Sequence, residues 1–280
     1  MRGARALAAL TLAALGAAAL LAVPATAKRH RRLPAGPFAT VAMRAFLATR
    51  IGDITAAVYN VKAQRMHVYR PGVLLEDASI AKVDILATVL HEAQPNGTIL
   101  SPQQQQLAAG AIEESDNGDA QALWWDAGGN PGIAAFNAEI GMTHTILDPQ
   151  GIWGHYETTA RDQIRLLEHV ALPNRILGYR ARSYELGLMH HIDPVQDWGV
   201  SGGVLAPATA ALKNGWLPLG SGWEINSIGQ VSGRYRDYLL AVLTSGDPSM
   251  SYGVATVDGI SQLVWEYFQP ARFHPHSAAA

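Results

Sequence analysis

Segments that favour β-strands lie near both ends of this chain, and helical patterns fill the middle. Two short apolar segments, residues 54–60 and 66–69, predict a hairpin near the N-terminus. Three longer ones, at 209–216, 223–231 and 238–244, lie in the C-terminal third. Because strands from both ends must pair to bury their apolar faces, the sequence predicts an α/β fold of the α+β type. It has one antiparallel sheet of about five strands flanked by helices, with an all-helical lobe inserted.

Turns rich in Gly, Pro and Asn separate the predicted helices. Ser101 followed by Pro102 is a typical helix start, Thr158 is a predicted cap, and residues 128–132 are predicted to form a turn. The predicted helices span residues 38–49, 79–92, 101–112, 119–127, 133–140, 158–170, 180–190 and 252–267.

The first 27 residues have the pattern of a secretory signal peptide. Arg2 and Arg5 precede an Ala- and Leu-rich run that ends in an A-x-A cleavage site at residues 25–27. An uncleaved membrane anchor is the alternative, because the run is close to the minimum length that spans a bilayer. We expect an exported protein, either secreted or associated with the cell envelope. The expected segments are a signal peptide at 1–27, a basic, Pro- and Gly-containing linker at 28–37, one domain at 38–270 and a disordered tail at 271–280.

Composition narrows the possible classes of protein. The chain has no Cys, hence no lipid-attachment cysteine and no disulfide framework, so an apolar core must stabilise it. Its formal net charge of −2 becomes about −4 once the two-arginine signal is removed, which argues against nucleic acid as a partner. The basic run from Lys28 to Arg32 predicts either weak contact with membrane or cell wall or a solvated linker. We expect a monomer.

Three short motifs occur in a fixed order. They are Ser-Ile-Ala-Lys at 79–82, Ser-Asp-Asn at 115–117 and Lys-Asn-Gly at 213–215. The chain has only four Lys against 17 Arg, yet two of the four lie in these motifs. An ammonium can lose a proton and act as a base, whereas a guanidinium cannot, so this usage indicates proton transfer.

Each motif alone has an ordinary structural explanation. A chance S-x-x-K is common, S-D-N is a frequent helix-capping turn, and K-N-G is a frequent hairpin turn. Their joint occurrence, on a predicted helix start, an interhelical loop and a C-terminal strand, favours the catalytic interpretation.

The residue types in the motifs suit acyl transfer. Ser79 and Lys82 share one face of a predicted helix, and Ser79 lies at its start, where the positive end of the dipole favours an oxyanion. Lys82 can take the Ser79 proton if burial or a second cation, such as Lys213, lowers its pKa. Ser115 can relay a proton to a leaving nitrogen, and Asn117 offers an amide to the substrate.

The end of the third motif supplies backbone groups. Gly215 lets substrate lie close to the strand. The N–H of Trp216 is the natural second oxyanion donor beside that of Ser79.

These segments, together with Thr-Thr-Ala-Arg-Asp at 158–162, resemble the class A β-lactamase and penicillin-binding D,D-peptidase superfamily over about residues 38–267. The resemblance implies a β-lactamase-like fold, a β-lactam or D-Ala-D-Ala-like small substrate, and no metal or organic cofactor. The roles it implies are Ser79 as the acylated nucleophile, Lys82 and Ser115 as proton carriers, and Lys213 and Asn214 as ligands of the substrate carboxylate.

The chain also departs from this family pattern. Class A β-lactamases carry a Glu in a Glu-x-x-Leu-Asn segment that activates the deacylating water, and residues 147–157 lack that segment. Glu157, Asp148 and His155 are the remaining candidates for a base. Asn214 replaces the usual Thr or Ser, and the short interval between the first two motifs predicts a trimmed helical lobe.

The function predicted from these motifs is an exported active-site-serine hydrolase that forms an acyl enzyme with β-lactams and hydrolyses the lactam amide. The alternatives are a D,D-carboxypeptidase or esterase of the same fold, a penicillin-binding protein that deacylates slowly, and a non-hydrolytic binder. The sequence leaves the rate of turnover open.

Two competing sites are weaker. Gly-Val-Ser-Gly-Gly at 199–203 matches the nucleophile elbow of α/β-hydrolases but lacks the required strand and helix around it. His190, His191 and Asp193 have no accompanying metal-binding motif. Among the seven tryptophans, Trp153 and Trp216 are predicted to lie at the rim of the cleft.

Overall fold

A computed structural model describes residues 36–97, 100–234 and 236–269. The predicted signal peptide and nearly all of the linker and the tail therefore lie outside the described residues. Described residues from Gly36 onward belong to one compact unit. Within the described ranges, no helix is long and apolar enough to span a membrane.

A five-stranded antiparallel sheet is built from both ends of the chain, as the sequence predicts. Its strand order is β2-β1-β7-β6-β5, so the N-terminal hairpin pairs with the last strand and β5 is left at an edge. A second, two-stranded ladder joins β3 to β4. The strands are β1 Asp53–Asn60, β2 Arg65–Tyr69, β3 Leu75–Glu76, β4 Glu157–Thr158, β5 Thr209–Leu219, β6 Gly222–Ser232 and β7 Tyr238–Asp247.

Eight α-helices surround the sheet in the described part of the chain, and short 3-10 turns connect several of them. The helices are α1 Val41–Leu47, α2 Ala81–Ala93, α3 Pro102–Ala109, α4 Asn117–Asp126, α5 Gly129–Ile140, α6 Ala160–Ala171, α7 Tyr179–Met189 and α8 Met250–Tyr267. Helices α1 and α8 pack on one face of the sheet, and α6 packs on the other, where α2 shares the same apolar core.

Alternation along the strands separates two apolar cores. On β7, Leu239 and Leu243 face the core shared with α2 and α6, whereas Leu240 and Val242 face the core shared with α8. Successive side chains on a strand point to opposite faces, so one strand supplies both cores. The same rule decides which residues of β5 reach the site described below.

The helical lobe shows small corrections to the predicted boundaries. Helix α5 begins at Gly129, so most of the predicted turn at 128–132 is helical, and Pro131 fits the first turn because that turn needs no N–H from it. Thr159, not Thr158, caps α6 by accepting from the N–H of Asp162. The predicted start at Ser101 is confirmed by a complete capping box with Gln104.

Helix α2 runs through the middle of the molecule. Every residue from Ala81 to Leu90 is buried. A helix enclosed on all sides holds its side chains in fixed positions. Its two buried polar residues near the N-terminus, Lys82 and Asp84, are therefore held where the packing places them.

Candidate active site

Ser79 lies in a 3-10 turn, Ala78–Ile80, that leads directly into α2. Ala78 has a positive φ of 50°, a conformation that non-glycine residues adopt at a cost and that is frequent at functional sites. The turn is fixed from outside, because the N–H of Asp77 donates to the carbonyl of Tyr156 at 2.8 Å. Ser79 is partly exposed, and among the described residues its hydroxyl has no hydrogen-bond partner.

The Lys82 ammonium lies one helical turn below Ser79 and is almost completely buried, with 1% of the residue exposed. Its Nζ donates to the carbonyl of Ser115 at 2.5 Å, to Ser115 Oγ at 3.0 Å and to Asn117 Oδ1 at 2.8 Å. These three acceptors use all three hydrogens of an ammonium. Burial lowers the pKa of Lys82 to about 8, and the charge of Asp116 partly opposes that shift.

Ser115 occupies a strained position at the end of a π-helical turn, Gly110–Glu114, with φ of 61°. The left-handed backbone of Ser115 breaks the helical path between α3 and α4. Both its carbonyl and its hydroxyl accept hydrogen bonds from Lys82. Asp116 then caps α4 by accepting from the N–H of Asp119 at 2.8 Å. The predicted helix-capping turn is therefore real, and it also positions Ser115.

Lys213 reaches the same hydroxyl from β5. Its Nζ donates to Ser115 Oγ at 2.9 Å and to the carbonyl of Asn214 at 3.0 Å, and the residue is completely buried. Burial, reinforced by the neighbouring Lys82 charge, holds the pKa of Lys213 well below its usual range. We call Lys82, Ser115, Asn117 and Lys213 the Ser115 cluster.

The cluster leaves two donors available to a ligand. Ser115 Oγ accepts from both lysines, which occupies its two lone pairs and leaves its own hydrogen free to donate. Asn117 accepts from Lys82 through Oδ1, and in the described part of the chain its exposed Nδ2 group has no partner.

Gly215 brings β5 against the Ser79 turn. A Cβ at this position would lie 2.8 Å from the backbone N of Ser79 and 2.9 Å from the carbonyl of Asp77. Only glycine permits this approach, which explains the last residue of the third motif. The backbone of Trp216, the next residue, is thereby placed close to Ser79, and its oxyanion role stays a prediction.

Two residues of β5 face away from the cluster. Asn214 is buried and donates both amide hydrogens to backbone carbonyls, to Gln196 at 2.7 Å and to Trp198 at 3.0 Å. Its side chain is therefore not brought to the cleft, contrary to its predicted role as a carboxylate ligand. The Trp216 ring packs on Trp198 with centroids 6.2 Å apart, against the core shared with α8, and its place at the cleft rim stays a prediction.

The acidic groups of the loop of residues 147–157 are bound within the loop or exposed. Asp148 Oδ1 accepts from the N–H groups of Gln150 and Ile152, and exposed Glu157 belongs to β4. His155 Nδ1 lies 2.8 Å from Glu76 Oε2. Among the described residues, none of the three candidate bases has a hydrogen bond to Ser79 or Lys82.

Trp153 occupies the space above Lys82. The centroid of its ring lies 5.3 Å from Lys82 Nζ, and its Nε1–H donates to Gln121 Oε1 at 3.2 Å. The sequence places Trp153 near the cleft but gives no indication that it stacks on the lysine. Asn226 was also not foreseen, although its amide donates to the carbonyls of Glu76 and Asp77 and so supports the Ser79 turn from β6.

Among the described residues, the competing sites are not assembled. Ser201 lies in a turn, where its carbonyl accepts from the N–H of Val204. His190 Nδ1 contacts the carbonyl of Ala210, and His191 Nδ1 contacts that of Gly187. No cluster of potential metal ligands occurs within residues 36–97, 100–234 and 236–269.

Comparison with known proteins supports the fold. The model of a family described as the β-lactamase enzyme family matches residues 97–268. Solved structures with this fold include a β-lactamase from Burkholderia phymatum, with 18% identity, TM-score 0.71 and coverage of 81% of this chain and 96% of that one. A class A β-lactamase from Mycobacterium abscessus has 19% identity, TM-score 0.71 and coverage of 80% and 97%.

The match to curated relatives covers only part of their length. The candidate lipoprotein LppW, from Mycobacterium tuberculosis and Mycobacterium bovis, is 27% identical over 179 residues. The match covers 60% of this chain and 55% of LppW, so the chain spans about half the length of these relatives.

Proposed function

Because this chain belongs to the β-lactamase enzyme family, we propose that it is an active-site-serine hydrolase that forms an acyl enzyme on Ser79 with β-lactams or similar small amides. The single observation that supports this most strongly is the position of Ser115 Oγ, which accepts from Lys82 at 3.0 Å and from Lys213 at 2.9 Å. Hydrogen bonds therefore join side chains from all three motifs. Lys82 and Lys213 both donate to Ser115 Oγ, and Lys82 also donates to Asn117.

In the proposed acylation, the proton that Ser79 loses ends on the leaving nitrogen of the substrate. Ser79 Oγ attacks the lactam carbonyl carbon, the C–N bond breaks, and the proton of Ser79 passes through Lys82 and Ser115 to the leaving nitrogen. With the pKa of Lys82 at about 8, roughly a tenth of the molecules have neutral Lys82 at pH 7. Lys82 lies three residues after Ser79, so the two side chains lie on the same side of the helix start.

The developing negative charge on the carbonyl oxygen needs two donors. The N–H of Ser79 faces it from the start of α2, where the helix dipole also favours negative charge. The N–H of Trp216 is the proposed second donor, because Gly215 brings this part of β5 next to Ser79.

We propose that release of the acyl group is slow. Water must lose a proton to attack the Ser79 ester, and among the described residues Asp148 and His155 are engaged elsewhere while Glu157 is exposed and has no hydrogen bond to Ser79. The proposed activity is therefore that of a penicillin-binding acyl enzyme with slow turnover.

Export is part of the proposal. The signal pattern at residues 1–27 predicts it, and LppW is named as a candidate lipoprotein. This chain contains no Cys, so we propose a secreted or weakly envelope-associated protein without a cysteine-linked lipid.

The test is intact mass after mixing with benzylpenicillin, together with a chromogenic cephalosporin assay. We expect an adduct of one penicillin, retained over minutes, with little turnover. The adduct should disappear in Ser79→Ala and persist in Ser201→Ala, the serine of the competing motif. Formation of neither adduct nor product by the wild type, or an unchanged adduct in Ser79→Ala, would overturn the proposal.

A further inference from the structure

The buried Lys82 ammonium lies among Ser115, Asn117 and Trp153. Three acceptors, from Ser115 and Asn117, take its hydrogens, and the face of Trp153 covers it at 5.3 Å from the ring centroid. An indole ring has no lone pair that can accept a proton from water, because its nitrogen is a donor only.

Trp153 is held in place at several points. Its Nε1–H donates to Gln121 Oε1 at 3.2 Å, and the ring packs against the apolar core of the helical lobe. The next residue, Gly154, lies against the Ser79 turn, since a Cβ there would be 3.9 Å from Cα of Ala78. Two residues further on, the carbonyl of Tyr156 accepts from the N–H of Asp77. The indole is therefore clamped to the segment that carries Ser79.

We propose that Trp153 is the positioning residue that sets the lifetime of the acyl enzyme, by covering Lys82 and so excluding water and other small nucleophiles from the space beside its ammonium. This inference rests on the proposed acylation of Ser79. Deacylation requires a nucleophile to add to the ester carbonyl carbon, the bond from that carbon to Ser79 Oγ to break, and a proton to return to Oγ. With the ring in place, a water molecule beside Lys82 has no group there that can accept its proton.

The experiment follows the loss of the benzylpenicillin adduct by time-resolved intact mass, with and without added hydroxylamine. Hydroxylamine is a small nucleophile that converts the Ser79 ester to a hydroxamate and frees the serine. The variants are Trp153→Leu, which opens the space, and Trp153→Phe, which keeps an aromatic face. Trp125→Leu is the matched control, since Trp125 is 67% exposed on α4.

We expect Trp153→Leu to form the adduct within about threefold of the wild-type rate and to lose it at least about tenfold faster, with a loss rate that rises with hydroxylamine concentration. Trp153→Phe and Trp125→Leu should stay within about twofold of wild type. Wild-type adduct loss should be insensitive to hydroxylamine, and this measurement needs no variant to fold.

Three results would overturn the inference: equal adduct lifetimes in Trp153→Leu and wild type, equal acceleration in Trp125→Leu, or hydroxylamine-dependent loss in the wild type. Absence of any wild-type adduct is a different failure, because it would overturn the acylation itself and this inference with it.

Discussion

In the Ser115 cluster, polar groups from three separate elements converge on one hydroxyl, whereas the polar groups of the loop of residues 147–157 form hydrogen bonds elsewhere or are exposed. Lys82 and Lys213 come from a central helix and a sheet edge and share Ser115 Oγ. Asp148 bonds to loop N–H groups two and four residues away, and His155 pairs with Glu76. The difference supports the proposal that this molecule forms an acyl enzyme more readily than it hydrolyses one.

The two regions also differ in what burial does. In the cluster, burial lowers the pKa of both lysines toward neutrality, which makes proton transfer possible at ordinary pH. In the loop, the buried side chain of Tyr156 accepts from Trp124 and donates to Asn130, which stabilises the loop.

The largest effect is expected from removing the base. Lys82→Ala should reduce the acylation rate by about 10³-fold, within the range that a general base contributes. Lys62→Ala removes an exposed lysine in the β1–β2 turn and is the control, with an expected rate within twofold of wild type. Rates are measured from adduct formation with benzylpenicillin. Equal effects of the two variants would contradict the assignment of Lys82 as the base in acylation.

Closing the space beside Gly215 is expected to have the second largest effect. In Gly215→Ala the new Cβ meets backbone atoms at 2.8–2.9 Å, so β5 and the Ser79 turn must separate. We expect acylation to fall by about 10- to 100-fold, corresponding to roughly 1–3 kcal/mol of overpacking. Gly220→Ala, where a Cβ meets nothing within 4 Å, is the matched control. An unchanged rate in Gly215→Ala would mean that close approach of β5 is not required.

Acylation should also depend on pH in a defined direction. The neutral form of Lys82 is needed and its pKa is about 8, so the rate should rise about tenfold per pH unit from pH 6 to 7 and level off above 8. The same measurement of adduct formation across pH provides the check. A rate that falls with rising pH in this window would contradict the assignment of Lys82 as base.

The smallest effect is expected in the loop. Glu157→Gln should leave the adduct lifetime within about twofold of wild type, because among the described residues the exposed Glu157 side chain has no hydrogen bond or ion pair with Ser79 or Lys82. Asp148→Asn tests the second carboxylate in the same way. A lifetime prolonged tenfold or more by Glu157→Gln would identify Glu157 as the deacylation base. The loop would then take part in catalysis, contrary to the comparison.

Much of the cluster was predictable because its signals are local. The first two motifs lie at a helix start and a capping turn, and the third lies on a strand, so each places its own residues without long-range information. Asn214 illustrates an available signal that motif reasoning overlooked. Neighbouring strand residues face opposite sides, so Lys213 in the cluster already places Asn214 on the other face.

The position of Trp153 was not predictable in the same way. Its ring reaches Lys82 through contacts between distant segments, including the hydrogen bond between Asp77 and Tyr156. No spacing in residues 147–157 encodes which side chain covers the lysine, because loop packing depends on the whole surrounding surface.

The ratio of two rate constants tests the account most directly. Adduct formation and adduct loss should be measured on the same wild-type sample with benzylpenicillin at pH 7.5, by quenching and intact mass. The account predicts formation at least about 100-fold faster than loss, so that nearly all molecules accumulate as the Ser79 adduct. Steady product release without accumulation of the adduct would contradict it, because water would then reach the ester as readily as the ester forms.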